Sequence, residues 1–164
     1  METVRYCTPE WLEKSAAGYR ATPKFKEAFR KLTKAVFFRI EAEPAWGLDE
    51  SIIFGGLIDQ GELIDLAFYS EADTKEKAEL VLAATPQEWK AILTKERKFV
   101  GDVVLGKIQV VQGSKAGAVT IAPYSDTFVD ALTQFELVFQ DDMSAEEVEE
   151  YRTYVAEFRA RLGV

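Results

Sequence analysis

Residues 51–70 of the chain are SIIFGGLIDQGELIDLAFYS, in which two apolar runs stand on either side of Gln60-Gly61. The runs extend from Ser51 to Asp59 and from Glu62 to Ser70. Glycine in a two-residue connection tolerates the positive φ that tight hairpin turns need. The stretch therefore predicts a β-hairpin.

A strand is also predicted immediately before the hairpin. From Ala35 to Glu43, apolar residues such as Val36, Phe38 and Ile40 alternate with residues of the opposite side. This period of two is typical of a half-buried strand. The three strands together predict a meander.

Two further strands are predicted, one from Glu79 to Ala84 and one from Lys107 to Gln112. The first of them competes with a short helix that would begin between Lys75 and Lys77. The order of strands and helices predicts an α+β fold, with a five-stranded, mostly antiparallel sheet and helices packed mainly on one face.

Helix starts are predicted where threonine precedes proline, because the hydroxyl caps the first turn and proline is tolerated there. The pairs are Thr8-Pro9, Thr22-Pro23 and Thr85-Pro86. Helical spacing returns after Asp126. The residues with that spacing are Phe128, Ala131, Leu132, Phe135 and Val138.

A C-terminal amphipathic helix is predicted over residues 144–162. Ser144 and Glu147 have the spacing of a capping box, and apolar residues follow in steps of three and four. Such a helix either covers its own domain or forms the seam of a homodimer.

The composition excludes several classes of function. The 164 residues include no histidine and one cysteine, Cys7, so imidazole-based catalysis and an internal disulfide framework are excluded. A net charge of −8 disfavours nucleic acid. No apolar stretch is long enough for a membrane helix, and no signal peptide is evident. We expect one cytoplasmic domain over residues 1–164, without stable membrane insertion.

No motif predicts a metal, a cofactor or a catalytic residue. Gly101 to Lys107 matches most of a phosphate-binding loop, but Ile108 stands where Ser or Thr is required, so coincidence is the simpler interpretation. Asp65 is a carboxylate within a strand, which an edge or solvent-facing position explains. Cys7 has no evident base and is interpreted as an incidental thiol.

Aromatic residues make up 12% of the chain and come from several predicted strands and helices. They are expected to converge on one interior volume. On composition alone a filled core is the simpler interpretation, although periodicity does not separate a filled core from a lined cavity.

Four strings resemble the sterol carrier protein family (the SCP-2-like sterol- and lipid-binding domain), in its prokaryotic type. They are Val36-Phe-Phe-Arg-Ile40, the hairpin from Ile52 to Leu66, Thr85-Pro-Gln-Glu-Trp89-Lys-Ala-Ile-Leu93, and Gly106-Lys-Ile-Gln-Val110 with Gly113 behind it. The resemblance spans about Phe25 to Phe139. An extra residue before Gly113, and Ser114 in place of the usual acid, predict a bulge or an altered strand end. The N-terminal and C-terminal helices lie outside the resemblance.

The resemblance implies an apolar tunnel between sheet and helices that holds a fatty acid, an acyl thioester or a sterol-like molecule, without catalysis. It implies a lining drawn from Phe38, Phe54, Leu66, Phe68, Trp89, Phe128, Leu132 and Phe135. The segment from Phe128 to Phe135 would be its mobile wall. Two alternatives remain. One is an interaction or accessory module with a filled core, which is homodimeric if the C-terminal helix forms a seam; the other is a histidine-free enzyme that uses Asp65.

Overall fold

A five-stranded sheet lies at the centre of the computed structural model, which describes residues 2–164. Its strand order is β4-β3-β2-β5-β6. The strands of the chain are Thr3–Arg5 (β1), Thr33–Ile40 (β2), Ile52–Asp59 (β3), Glu62–Tyr69 (β4), Leu80–Ala84 (β5), Gln109–Gln112 (β6) and Glu136–Val138 (β7). The α-helices are Pro9–Ala21 (α1), Pro23–Ala28 (α2), Glu71–Lys77 (α3), Pro86–Leu93 (α4), Phe99–Leu105 (α5), Lys115–Ile121 (α6), Ser125–Leu132 (α7) and Ala145–Leu162 (α8).

The predicted hairpin is confirmed as β3 and β4, which pair antiparallel and turn at Gln60-Gly61. Both turn residues have positive φ, 48° and 84°, as a two-residue hairpin turn requires. Gly61 also packs closely, because a Cβ at this position would lie 2.5 Å from the Lys26 carbonyl oxygen. The turn is therefore fixed both by its own conformation and by its contact with the end of α2.

The sheet is mixed, with one parallel pair and three antiparallel pairs. Strand β2 lies between β3, which runs antiparallel to it, and β5, which runs parallel. The connection from β4 to β5 contains α3, which begins at Glu71 and ends at Lys77. The predicted strand is therefore confirmed, and the short helix is present but ends where the sequence predicted its start. The five-stranded, mostly antiparallel α+β architecture predicted from the sequence is therefore present.

The two faces of the sheet follow the alternation predicted for β2. Val36, Phe38 and Ile40 pack into the main core beneath the helices. Phe37 is fully buried on the opposite face, beside Ile53 and Val81. The larger layer of helices lies on one face and forms the main core with it.

The predicted helical spacing from Phe128 to Val138 is wrong in its second half. Helix α7 ends at Leu132, and Glu136–Val138 forms strand β7, which pairs parallel with β1. The Gln134 side chain donates to the Ala131 carbonyl oxygen at 2.7 Å and satisfies one of the last acceptors of the helix. Because residues 136–138 pair with β1, their backbone is extended where the spacing alone predicts a helix.

The C-terminal helix α8 matches its prediction. Ser144 caps it, and the Glu147 side chain accepts from the Ser144 backbone N–H, which completes the capping box and lowers the pKa of Glu147. Within residues 2–164, no helix has the length and the apolar character that a membrane crossing requires.

Candidate functional site: an apolar cavity pair between sheet and helices

Two cavities lie between the sheet and the helices that cover it. The larger has a volume of about 50 Å³ and an almost wholly apolar surface. Its wall consists of seven aromatic residues, five aliphatic residues and one serine. They are Tyr6, Trp11, Phe38, Phe54, Trp89, Phe99 and Phe128; Ile92, Leu93, Ile121, Val129 and Leu132; and Ser125.

The smaller cavity has a volume of about 30 Å³ and lies beside the first, toward the β3–β4 hairpin. Its own wall includes Tyr19 and Ser15 from α1 and Leu66 from β4. Four residues line both cavities: Phe38, Phe54, Phe128 and Leu132. The two volumes are therefore separated by a thin partition of side chains.

The floor of the cavities is built by neighbouring strands. Phe38 of β2 is directly opposite Phe54 of β3 in the sheet register, and their rings are stacked with centroids 5.0 Å apart. The Trp89 ring meets Phe38 edge-on at 5.7 Å, and its indole N–H donates to the Arg39 carbonyl oxygen at 2.9 Å. This hydrogen bond fixes the start of α4 against the sheet.

Helix α7 forms the opposite wall through Phe128, Val129 and Leu132. Its C-terminal end is held by the Trp11 indole N–H, which donates to the Leu132 carbonyl oxygen at 2.9 Å. In the same half of the helix, Asp130 accepts from Lys95 at 2.7 Å on the exposed side. Both polar contacts thus hold the C-terminal half of the wall that borders the two cavities.

Six of the eight lining residues predicted from the sequence border the cavities. Phe38, Phe54, Trp89, Phe128 and Leu132 line the larger cavity, and four of these also line the smaller. Leu66 lines the smaller cavity alone.

Phe68 and Phe135 are buried but border neither cavity. Phe68 stacks on Phe158 of α8, with centroids 5.3 Å apart. Phe135 lies beyond the end of α7, in the segment that turns toward β7. The position of Phe68 thus depends on its contact with α8, and that of Phe135 depends on the turn into β7.

The N-terminal segment supplies lining residues that the sequence interpretation missed, Tyr6 and Trp11 in the larger cavity and Ser15 and Tyr19 in the smaller. A signal for part of this set is present in the sequence. Trp11, Ser15 and Tyr19 follow the Thr8-Pro9 helix start at intervals of four and lie on one face of α1.

The arrangement offers apolar contact surface, since no charged residue lines either cavity. Burial raises the pKa of the Cys7 thiol to about 12, so the thiolate that would act as nucleophile is scarce at neutral pH. Asp65 accepts a hydrogen bond from the Tyr69 hydroxyl, and Tyr69 packs on the sheet face opposite the cavities. Among residues 2–164, no three acidic or cysteine side chains are grouped as metal ligands.

A pair of carboxyl groups lies behind the larger cavity, where α4 meets α5. Oxygens of Glu88 and Asp102 are each 3.9 Å from guanidinium nitrogens of Arg97. Glu88 Oε1 and Asp102 Oδ2 are both buried without another partner. Burial, and next the contact with Asp102, raise the pKa of Glu88 to about 7, against the weaker opposing effects of Arg97 and Lys107. A proton held on Glu88 would give both oxygens a partner.

We expect Glu88→Gln to change the pH dependence of stability. Between its ordinary pKa of 4.5 and about 7, the folded state holds more protons on Glu88 than the unfolded state does. The contribution of Glu88 to the free energy of unfolding therefore falls as pH rises through this window. Glu88→Gln lacks this loss. As pH rises through the window, its free energy of unfolding should therefore increase relative to that of wild type by on the order of 1 kcal/mol, a value reduced for solvent screening. Urea unfolding at both ends measures it.

The matched control is Glu96→Gln, which removes an exposed carboxylate from the turn after α4. It makes the same change of charge without touching the buried pair. A Glu88→Gln curve that runs parallel to that of wild type would show that Glu88 does not hold a proton in the folded state.

Comparison with known proteins gives matches to solved structures alone: no family model and no curated protein matches the sequence. A conserved hypothetical protein of Thermus thermophilus, named as a candidate sterol carrier protein, matches with a TM-score of 0.67 at 13% identity. The match covers 80% of this chain and 90% of that one.

Two other structures agree with this match. A sterol carrier protein 2 matches with a TM-score of 0.61 at 14% identity, over 76% of this chain and 92% of the other. The apo form of sterol carrier protein 2 from Yarrowia lipolytica matches with a TM-score of 0.50 at 11% identity, over 72% and 86%. The resemblance noted in the sequence is thus confirmed for the fold, and the chain has the architecture of the sterol carrier proteins.

Proposed function

We propose that this protein is a non-catalytic lipid-binding or lipid-carrier protein, which holds a fatty acid, an acyl thioester or a sterol-like ligand between its sheet and helices. The observation that carries the proposal is the pair of cavities between sheet and helices, whose lining is apolar and without charge. Each buried methylene of a ligand contributes roughly 0.8 kcal/mol, so a long chain binds without a catalytic group. Two proteins that share the fold are named as sterol carrier proteins, one of them as a candidate, and these names support the sterol-like part of this ligand class.

The cavities must enlarge to hold such a ligand. Their volumes, about 50 and 30 Å³, are far below the roughly 300–1,000 Å³ of typical ligand pockets. Phe128 and Leu132 line both cavities and belong to one helix, so an outward shift of α7 would join the two volumes. In this proposal the lining includes the six predicted residues that border the cavities, and α7 is the mobile wall.

A second function is favoured by the small volumes themselves. If the core stays closed, the chain is an interaction or accessory module with a filled interior. In either case the main core includes residues from Val4 to Phe158, which supports a single domain over residues 1–164. We also propose that the protein is located in the cytoplasm.

Leu132→Trp is expected to weaken ligand binding at least tenfold, because the larger side chain fills space in both cavities. Delipidated protein would be titrated with N-phenyl-1-naphthylamine, an uncharged dye whose emission rises in apolar surroundings. Phe128→Ala, which enlarges both cavities, should bind the dye at least as tightly as wild type. The two variants change the volume in opposite directions, so a general loss of folding does not produce the expected pair of results.

Val119→Trp is the matched control, since it adds a tryptophan at an exposed position of α6. It should bind the dye like wild type. Wild-type protein that binds no dye, and yields no lipid to organic extraction after purification, would contradict lipid binding and support the filled-core module.

A further inference from the structure

Helix α5 presents an apolar face to the solvent. Its sequence, from Phe99 to Leu105, is FVGDVVL, in which Asp102 is the one polar side chain and is buried. Val100 and Val104 lie one turn apart on the outer side of the helix, and Leu105 follows them. Their exposed fractions are 43%, 66% and 72%. Because the solvent side of a surface helix is ordinarily polar, this face is suited to a partner that covers it.

The inner face of the same helix borders the larger cavity. Phe99 is buried and lines this cavity, and Val103 belongs to the main core. Helix α6 packs against α5, and its Ile121 lines the same cavity. Helix α5 therefore lies between the larger cavity and the solvent, with apolar side chains on both of its sides.

The surface around α5 is basic, although the whole chain has a net charge of −8. Within residues 97–125 the only acidic residue is Asp102, which is buried. Lys98 directly precedes the helix, and Lys107 follows its C-cap. Lys115 lines a groove together with the glycine that caps α5. All three lysines are exposed, and none forms an ion pair within residues 2–164.

The charged residues of the turn before α5 do not cancel this positive charge. Lys95 pairs with Asp130 at 2.7 Å, and Arg97 faces the buried carboxyl groups of α4 and α5 at 3.9 Å. Glu96 is exposed and is the one acidic residue of the turn. The three lysines outnumber it, so the surface that surrounds the apolar face is complementary to an anionic partner.

The size and the charge of this face distinguish between partners. A seven-residue helix is about 10 Å long and about 10 Å wide, so its outer face is far smaller than the roughly 800 Å² that each partner buries in a stable protein interface. A second copy placed symmetrically would also bring the lysines near their own copies. A lipid surface requires less area, because apolar side chains enter the headgroup boundary while flanking lysines bind anionic headgroups.

We infer that α5 docks on the surface of an anionic lipid bilayer. Its apolar outer face enters the boundary between headgroups and acyl chains, and Lys98 and Lys107, at its two ends, lie beside anionic headgroups. The helix is far shorter than the roughly 20 residues of a membrane-spanning helix, so the contact is peripheral. This inference goes beyond the proposed function and does not depend on it. A docked α5 would place the larger cavity next to the membrane.

Sedimentation with lipid vesicles tests the inference. At low salt, wild-type protein should sediment with vesicles made of equal parts of phosphatidylcholine and phosphatidylglycerol, and should stay in the supernatant with phosphatidylcholine alone. The variant with both Val104→Ser and Leu105→Ser should bind the anionic vesicles about tenfold more weakly, because it removes two apolar side chains from the contact. The variant with both Lys98→Gln and Lys107→Gln should lose about fivefold for each lysine and should depend less on salt.

Two sets of control variants make the same chemical changes elsewhere. Ile64→Ser removes a side chain that is 59% exposed on β4, at the edge of the sheet opposite β6. The variant with both Lys24→Gln and Lys31→Gln removes two exposed lysines in and after α2, which contacts the β3–β4 hairpin. Both controls should bind the anionic vesicles like wild type. Every replaced side chain is exposed, so thermal unfolding of all variants should stay near that of wild type.

Wild-type protein that sediments with neither kind of vesicle would overturn the inference. A dimer that dissociates in the Val104→Ser and Leu105→Ser variant, measured by light scattering, would then assign the face to a second copy. Binding to the anionic vesicles that both α5 variants leave unchanged would also overturn the inference. The α5 variants should bind N-phenyl-1-naphthylamine like wild type in the absence of vesicles, so the docking surface and the proposed function are tested separately.

Discussion

Replacing Trp11 by alanine is expected to lower the free energy of unfolding by about 3–5 kcal/mol, the usual cost of removing a fully buried large aromatic side chain. Trp11 has no exposed surface, and its ring contacts Tyr6 at 5.0 Å and Phe54 at 5.1 Å. The space left by the indole would merge with the larger cavity, so the surrounding side chains cannot close it by a small shift.

The same substitution removes a hydrogen bond that fixes α7. The Leu132 carbonyl oxygen accepts from the Trp11 indole at 2.9 Å, and this contact joins residues 121 positions apart in sequence. Its loss adds a buried acceptor without a partner, worth about 1–3 kcal/mol. The total loss should therefore lie in the upper part of the range or above it.

Urea unfolding followed by far-ultraviolet circular dichroism measures this loss without relying on tryptophan fluorescence. Trp11→Phe separates the two causes, because it keeps most of the apolar volume and removes the indole donor. It should lose about 1–3 kcal/mol. If Trp11→Ala lowers the free energy of unfolding by less than about 1 kcal/mol, α1 contributes little to the core.

Local signals in the sequence predicted much of the fold. Gln60-Gly61 specifies the hairpin turn through positive φ at both residues, and Thr-Pro pairs mark the starts of α1, α2 and α4. The threonine hydroxyl caps α1 and α4, whereas that of Thr22 makes no capping hydrogen bond to α2. The extra residue before Gly113 appears as a register shift between β5 and β6, where Gln112 pairs with Val81 but Val110 pairs with Leu82. These features depend on a few neighbouring residues, so a sequence pattern captures them.

Features that depend on distant segments were not predicted. Strand β7 has three residues and exists because β1 pairs with it across more than a hundred positions. Helices α5 and α6 have seven residues each, too few for spacing to distinguish them from loops. The apparent phosphate loop begins inside α5, and its Gly106, with φ 80°, is the left-handed C-cap of that helix.

The candidate site was predicted only in part, because it too depends on contacts between distant segments. Alternation along β2 placed Phe38 toward the helices, and pairing with β3 brought Phe54 to the same point. Phe68 lies on the same face of the sheet as Phe54, but it packs against Phe158 because α8 covers that end of β4. Sequence periodicity gives the direction of a side chain, whereas the volume left between side chains depends on how all the elements pack.

A chain that ends at Asp142 is expected not to fold. Helix α8 buries Tyr151, Val155 and Phe158, and burial of each such side chain is worth about 1.5–3 kcal/mol. Two hydrogen bonds would also be lost, from Tyr151 to the Cys7 carbonyl oxygen at 2.7 Å and from Arg159 to the Ser51 carbonyl oxygen at 2.9 Å. The combined loss is comparable to the roughly 5–15 kcal/mol that stabilises a typical domain.

The lone cysteine makes this loss measurable. Burial raises the pKa of Cys7 to about 12, so in the full chain the thiol should react with an aromatic disulfide reagent only after denaturation. In the chain that ends at Asp142 it should react at once, because Tyr151 no longer covers it. A chain that ends at Leu162 keeps the whole of α8 and should protect Cys7 as the full chain does.

Light scattering after size exclusion separates the two roles proposed for α8. If its apolar face covers its own domain, the chain that ends at Asp142 should be unfolded or aggregated, with a reactive Cys7. If that face instead joins two copies, the shortened chain should remain a folded monomer with a protected thiol, and the full chain should be a dimer. The stacking of Phe158 on Phe68 and the hydrogen bond of Tyr151 to Cys7 lie within one chain. They favour the first result, because Tyr151, Val155 and Phe158 of that face are already buried within their own chain.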